Sequence, residues 1–387
     1  MNQAAPLVDF APFARLALLA LVIALLPLAW VWLRQRGADG QRRLAALTAL
    51  TLFLTFDLIA FGAFTRLTDS GLGCPDWPGC YGEASPLGAH ADIHAAQTAM
   101  PSGPVTFTKA WIEMIHRYVA MTVGVLILVM AAFAWRERRR RQAALPFSPW
   151  WPTATLAWVV VQGLFGKYTV TLKLYPAIVT LHLLGGLVLL VMLAVQHEAF
   201  GRRPLPLAPA LRRAAFAVAA LLLVQIALGG WVSTNYAVLA CTGFPTCNGR
   251  WWPAMEFAEG FSPLRHLGQT ASGALLGLES LVGIHMVHRL VAVVAAGALL
   301  GLAWRLGRSG QRSVRRFGLG LGLLTLLQVA TGLSNVVLSW PLVAALAHTS
   351  GAAALVLLLA MLLARSGTAL HAPARADALR PARAAAP

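Results

Sequence analysis

Nine stretches of about twenty residues are apolar enough, or nearly so, to cross a bilayer as helices: 16–33, 45–64, 111–135, 150–170, 175–197, 214–233, 284–304, 315–338 and 341–363. Hydrocarbon offers the backbone no water, so a chain of this kind must satisfy its own hydrogen bonds, and continuous helices do so. Of the 387 residues, 58% are hydrophobic and only 12% charged, about half the charged share of a soluble domain. A soluble enzyme, a disordered chain and a secreted disulfide scaffold are therefore excluded, and the fold class is an all-α polytopic membrane protein. The first stretch has the length of a signal peptide. Only Arg15 precedes it and a basic run follows it, which is the flank of a retained helix whose N-terminus lies outside.

Basic residues orient the chain. Arg34, Arg36, Arg42 and Arg43 follow the first stretch, and Arg136 and Arg138 to Arg141 follow the third. Arg202, Arg203, Arg212 and Arg213 follow the fifth, Arg305, Arg308, Arg312, Arg315 and Arg316 the seventh, and Arg365, Arg375, Arg380 and Arg383 occupy the tail. These 22 fall on one side against seven on the other, with Arg117 and Arg289 inside spans. The positive-inside rule puts the arginine loops and the C-terminus in the cytoplasm and the N-terminus in the periplasm of a bacterial inner membrane. The net charge of +17 is then a topology signal and a contact with anionic membrane lipid, and no nucleic acid partner is expected.

Two long loops, 66–110 and 234–283, fall on the outer side, each with a C-x5-C pair, Cys74/Cys80 and Cys241/Cys247. An oxidising compartment makes one disulfide within each loop the natural reading, with free thiols the alternative. The loops are expected to lie as lids over the site, with Trp77, Trp251 and Trp252 as apolar contacts.

The two loops also resemble each other. GAFTRLTDSGLGCPDWPGCYG from Gly62 aligns without gaps, at an offset of 167, with GGWVSTNYAVLACTGFPTCNG from Gly229. EMIHRYVA from Glu113 aligns with HMVHRLVA from His285, and at an offset of 166 QGLFG from Gln162 aligns with QVATG from Gln328 and His182 with His348. The expected organisation is an N-terminal extra helix (1–44), two parallel-repeated four-helix bundles (45–200 and 201–365) and a cytoplasmic tail (366–387).

Five of the ten histidines lie in or at the edge of spans: His116, His182, His285, His288 and His348. An isolated one is most often a helix–helix hydrogen bond, but the repeat places His116 and His182, and again His288 and His348, at one depth on non-adjacent helices. At a rise of about 1.5 Å per residue that depth is roughly 5–12 Å below the outer interface. Two facing imidazoles in a bundle core suit the axial ligation of a haem iron. Arg117 and Arg289 follow the first histidine of each pair, and they and Arg66 either meet haem propionates or snorkel to the interface. The glycines of three Q-x-x-x-G patterns (Gln162/Gly166, Gln225/Gly229, Gln328/Gly332) admit a close helix or a flat macrocycle. The units differ in that Glu113 precedes His116 by three residues where His285 precedes His288. A carboxylate beside a haem suits general acid–base work. Asp57, with Val224 at its repeat position, is read either as part of a proton path or as a partner of Arg66.

GAFTRLTDSGLGCPDWPGCYG, KAWIEMIHR and IHMVHR closely resemble the haem A synthase family in its proteobacterial and mitochondrial branch, over residues 50–365. The resemblance implies an oxidoreductase that converts haem O to haem A, oxidising a ring methyl to a formyl group by two hydroxylations and loss of water. It matches His116 and His182 to the N-terminal ligand pair, His288 and His348 to the C-terminal pair, Glu113 to an essential glutamate and the four cysteines to loop cysteines. Catalysis is expected in the first unit, at Glu113, His116 and His182, with a resident haem B in the second. The partners it implies are haem O, a haem O synthase, cytochrome oxidase assembly factors and a homo-oligomer. The extra first helix departs from the eight-helix form. Rival readings are a di-haem b-type cytochrome, which leaves Glu113 idle, and a membrane thiol oxidoreductase resting on the cysteines.

Overall fold

The computed structural model describes residues 11–140, 145–201 and 204–371. Arg141, Arg202, Arg203, Arg375, Arg380 and Arg383 lie outside the described residues, as does most of the expected tail. The described chain is all helical: α1 (Ala11–Arg34), α2 (Gly40–Leu67), α3 (His90–Ala99), α4 (Phe107–Arg140), α5 (Trp150–Thr171), α6 (Pro176–Gly201), α7 (Pro209–Thr234), α8 (Leu278–Gly307), α9 (Arg312–Val337) and α10 (Leu342–His371). Among the described residues eight helices are long and apolar enough to cross a membrane. These are the expected spans except α5, which has the predicted position and 22 residues but is diluted by Thr153, Thr155, Gln162 and Lys167. The short α3, inside the first outer loop, was not predicted; its one buried residue is Ile93, too little apolar periodicity to read from sequence.

Local chemistry explains the helix starts and their polar content. Asp39 caps α2, its carboxylate accepting the Arg42 N–H at 2.7 Å. Proline opens α6 at Pro176 and sits in the first turn of α7 at Pro209, where no helical N–H is needed. The hydroxyls of Thr48, Thr51 and Thr55, all buried, donate to the carbonyls of Leu44, Leu47 and Thr51 four residues back, so α2 carries no unpaired hydroxyl on that face.

The helices pack in matching pairs. The contacts α2–α4, α4–α5, α5–α6 and α2–α6 have counterparts in α7–α8, α8–α9, α9–α10 and α7–α10. Between the two sets, α6 meets α10, and α2–α10 mirrors α6–α7; α1 lies against α4 and α2. Left-handed backbone positions recur at the same offsets: Asp69 and Tyr236, Tyr81 and Asn248, Lys173 and Ser339, Leu174 and Trp340. The main apolar core joins both sets through Leu44, Leu126, Met130, Leu190, Leu302 and Leu359. It fills the half of the bundle that ends in the arginine loops, leaving the histidines in the other half.

Candidate functional site

His116 projects from α4 and His182 from α6, helices that are not neighbours, and His288 and His348 project likewise from α8 and α10. Within each set the two imidazoles are in electrostatic reach of each other. Each ring faces a glycine on an adjacent helix. A Cβ built on Gly62 would stand 3.0 Å from Cε1 of His116, and one on Gly229 the same 3.0 Å from His288. The equivalent distances are 3.6 Å for Gly166 and His182 and 3.1 Å for Gly332 and His348. The glycines of the Q-x-x-x-G patterns thus make room for an imidazole, a use the sequence did not suggest. Gly62, the repeat partner of Gly229, makes the same room in the first set although Leu58 stands in place of a glutamine four residues before it. Phe61 stacks on His116 with ring centroids 6.2 Å apart.

The rings differ in what holds them. His116 and His182 each bury an Nδ1 with no hydrogen-bond partner. Nδ1 of His288 lies 3.0 Å from the side-chain amide of Gln225, and Nδ1 of His348 lies 3.0 Å from the Thr331 hydroxyl. An imidazole that ligates through Nε2 carries its proton on Nδ1, so the amide oxygen of Gln225, itself buried and unpartnered, is the atom suited to face His288. Gln328 donates to the carbonyl of His348 at 2.9 Å. Four imidazoles in two electrostatically coupled pairs, each seated against a glycine, could hold two haem irons. A bare ion fits less well: among the described residues no group of three or more His, Cys, Asp and Glu side chains could hold one.

Glu113 is 4% exposed, one turn from His116 and on the same helix face. Its Oε2 accepts the Cys74 N–H at 2.8 Å and its Oε1 pairs with Arg117. Arg117 also donates to the carbonyls of Asp76 at 3.0 Å, Pro78 at 3.2 Å and Gly79. In the second set His285 contacts the Ala237 carbonyl through Nδ1 at 3.0 Å, and Arg289 donates to Thr246 at 3.2 Å and Cys241 at 2.9 Å. Both arginines therefore clamp the disulfide loop of their own set. Arg66 donates to the Ser233 carbonyl at 2.5 Å, pairs with Asp69 at 3.3 Å and lies 3.9 Å from the centroid of Tyr236, whose hydroxyl donates to Asp69. The terminal donors of all three arginines engage protein oxygens rather than standing free for propionates. Arg289 alone keeps a buried, unpartnered Nε. Asp57 is exposed, on the side of α2 away from Thr48, Thr51 and Thr55, and Arg66 takes Asp69 as its carboxylate partner.

The disulfides are Cys74–Cys80 and Cys241–Cys247, each within its own loop, with Cα separations of 4.9 and 5.0 Å. Each is followed by the same two-bond bridge, Cys80 with Glu83 and Cys247 with Arg250. Trp77 lies under Lys167 of α5 at 5.7 Å, whereas Trp251 and Trp252 are 73% and 67% exposed and pack against no other part of the protein core. The second loop is held instead by Arg265, 2% exposed, which donates to Asn235, Glu259 and Gly260 and lies over Trp231. Nothing in the sequence marked this arginine, because a buried cation bound to carbonyls leaves no motif.

Residues 42–361 match the COX15-CtaA family, described as cytochrome oxidase assembly protein. A heme A synthase of Shewanella oneidensis is 38% identical over 325 residues, covering 82% of this chain and 94% of that protein. Heme A synthases of Methylobacterium nodulans and Shouchella clausii are 31% and 28% identical, over 76% and 68% of this chain and 84% and 75% of theirs.

Proposed function

From the premise that this chain belongs to the COX15-CtaA family of cytochrome oxidase assembly proteins, we infer a haem A synthase whose two helix sets divide the labour. The enzyme is a membrane oxidoreductase that acts on a methyl group of haem O. In this reading His116 and His182 receive haem O, while His288 and His348 hold a resident haem B. The supporting observation is the asymmetry in how the imidazoles are held. Rings fixed by Gln225 and Thr331 suit a permanent ligand set, since a second partner locks the tautomer and ring angle. Rings with an unpartnered Nδ1 suit a site that a substrate enters and leaves.

Haem B, which His288 and His348 would hold, would supply one-electron transfer. The chain's own residues do the rest. Glu113 lies one turn from the substrate ligand His116 and exchanges protons at Oε2, the oxygen not paired with Arg117. Arg117 occupies Oε1 and holds the Cys74–Cys80 loop over the site. Arg289 does the same for the other loop and offers Nε to a haem carboxylate. The oxidation of methyl to formyl removes four electrons in all. We place α5 across the membrane with the other eight long helices, in the bacterial inner membrane with the arginine loops in the cytoplasm. Delivery of haem O by a bound synthase, product release to oxidase assembly factors and self-association belong to the same proposal.

Pigment analysis tests the function. Membranes that co-express this chain with a haem O supplier should gain haem A; a chain that only carries electrons would leave haem O unchanged.

A further inference from the structure

At the arginine-loop end of α8 and α9 a groove of about 600 Å³ opens along the outside of the bundle. Its floor is backbone. A Cβ on Gly318 would come within 2.7 Å of the Ala303 carbonyl and 2.8 Å of the Gly307 nitrogen, so the two helix backbones come close together there. One wall is a single stripe of α9: Arg312, Arg316, Leu319, Leu323 and Leu326 follow one another at helical spacing, with Arg315 beside them. All three leucines are more than half exposed, and on a spanning helix that face meets lipid. The three arginines are exposed, the α8–α9 turn contains no carboxylate, and among the described residues none of the three has an ion-pair partner.

We propose that this groove binds an anionic phospholipid, with its phosphate among Arg312, Arg315 and Arg316 and an acyl chain along Leu319, Leu323 and Leu326. Guanidinium forks match phosphate oxygens, and the first turn of α9 adds unpaired N–H groups and the positive end of its dipole. A glycine floor admits an acyl chain where larger side chains would fill the space. The arrangement is more specific than a diffuse basic surface, because charge and apolar wall are in register on one helix. It lies at the opposite end of the helices from the histidines and does not depend on what they bind.

All four cysteines are in disulfides, so Leu323→Cys supplies a unique thiol for a fluorescent label. The full-length protein, in nanodiscs of phosphatidylcholine, is titrated with brominated phosphatidylglycerol or brominated phosphatidylcholine as quencher. The anionic lipid should reach half-quenching at a mole fraction about threefold or more below the zwitterionic one. Raising NaCl to 0.5 M should shrink that preference, and Arg312→Gln/Arg315→Gln/Arg316→Gln should remove it. The triple lysine variant, which keeps the charge that orients the loop, should retain only part of it. Equal quenching by both lipids in the unmutated groove, or an undiminished preference in the glutamine variant, overturns the proposal. So does loss of quenching to added haem O without any lipid preference, which would make the groove a substrate route.

Discussion

At the scale of single residues, the two oxygens of Glu113 have different partners. Oε1 belongs to Arg117 and the loop it clamps, while Oε2 meets the Cys74 N–H one turn from His116. Removing one partner of a buried ion pair costs about 3–5 kcal/mol, so a structural role alone would also make substitution harmful. The structural role and the proposed proton role separate by comparison. Glu113→Gln, which keeps an acceptor for Cys74, should abolish haem A formation while the purified protein keeps its haem B spectrum; His288→Ala or His348→Ala should remove that spectrum. If Arg117→Gln is as inactive as Glu113→Gln, loop placement accounts for both and the proton role fails. The glycines facing the rings give a graded expectation. Gly229→Val should strip the haem B spectrum, because the first added carbon already stands 3.0 Å from His288 and the two methyls add further bulk beside the ring. Gly166→Ala, whose added carbon sits at an ordinary 3.6 Å from His182, should leave haem A yield nearly unchanged.

At the scale of elements, each disulfide loop is a small closed ring whose carbonyls are gripped by an arginine on the helix that carries the first histidine of its set. Closing so short a ring constrains local shape more than global stability, so the tie to the helix decides where the loop sits. Arg289→Gln removes donors to the Cys241 and Thr246 carbonyls and should speed amide exchange in residues 241–249 while leaving 74–82 unaffected; Arg117→Gln should do the reverse. Simultaneous loosening of both loops by either change would show that the loops are not independently anchored.

At the scale of the whole molecule, the ends of α2 and α7 meet through residues that the repeat makes equivalent: Arg66 contacts Ser233, and Asp69 contacts Tyr236, each pair 167 apart. Such self-matching contacts arise where related elements face each other across their common axis. Arg66→Ala deletes a charged hydrogen bond and a ring contact at that seam, and should lower stability by about 1–3 kcal/mol, measured as a fall in the melting temperature of the detergent-solubilised protein. Its haem spectrum should be kept, since Arg66 contacts neither ligand pair. Orientation is tested by reporter insertions: those after Gly82 and Leu174 should signal one compartment, and those after Arg140 and Gly310 the other. An insertion after Leu174 that reports with Arg140 would mean that α5 does not cross.

The sequence alone determined the long helices, the gathering of arginines into alternate loops, the repeat and the four candidate histidines. Those follow from hydropathy, charge and spacing, which are local and additive along the chain. Partnership between distant side chains is not local, and only the tertiary structure decided it. Arg117 and Arg289 stand beside histidines in sequence, yet they turn to the loop carbonyls because those bends place several unpaired oxygens within reach. Gln225 and Thr331 reach the rings of the second set, while the first set leaves its imidazoles unpartnered. That difference has no signature in the E-x-x-H and H-x-x-H spacings, because it is set by how α7 packs on α8 and α9 on α10. The short α3, the buried Arg265 and the exposed Trp251 and Trp252 were hidden for the same reason. Each depends on which surface the outer loops find to cover, and no periodicity in those loops records it.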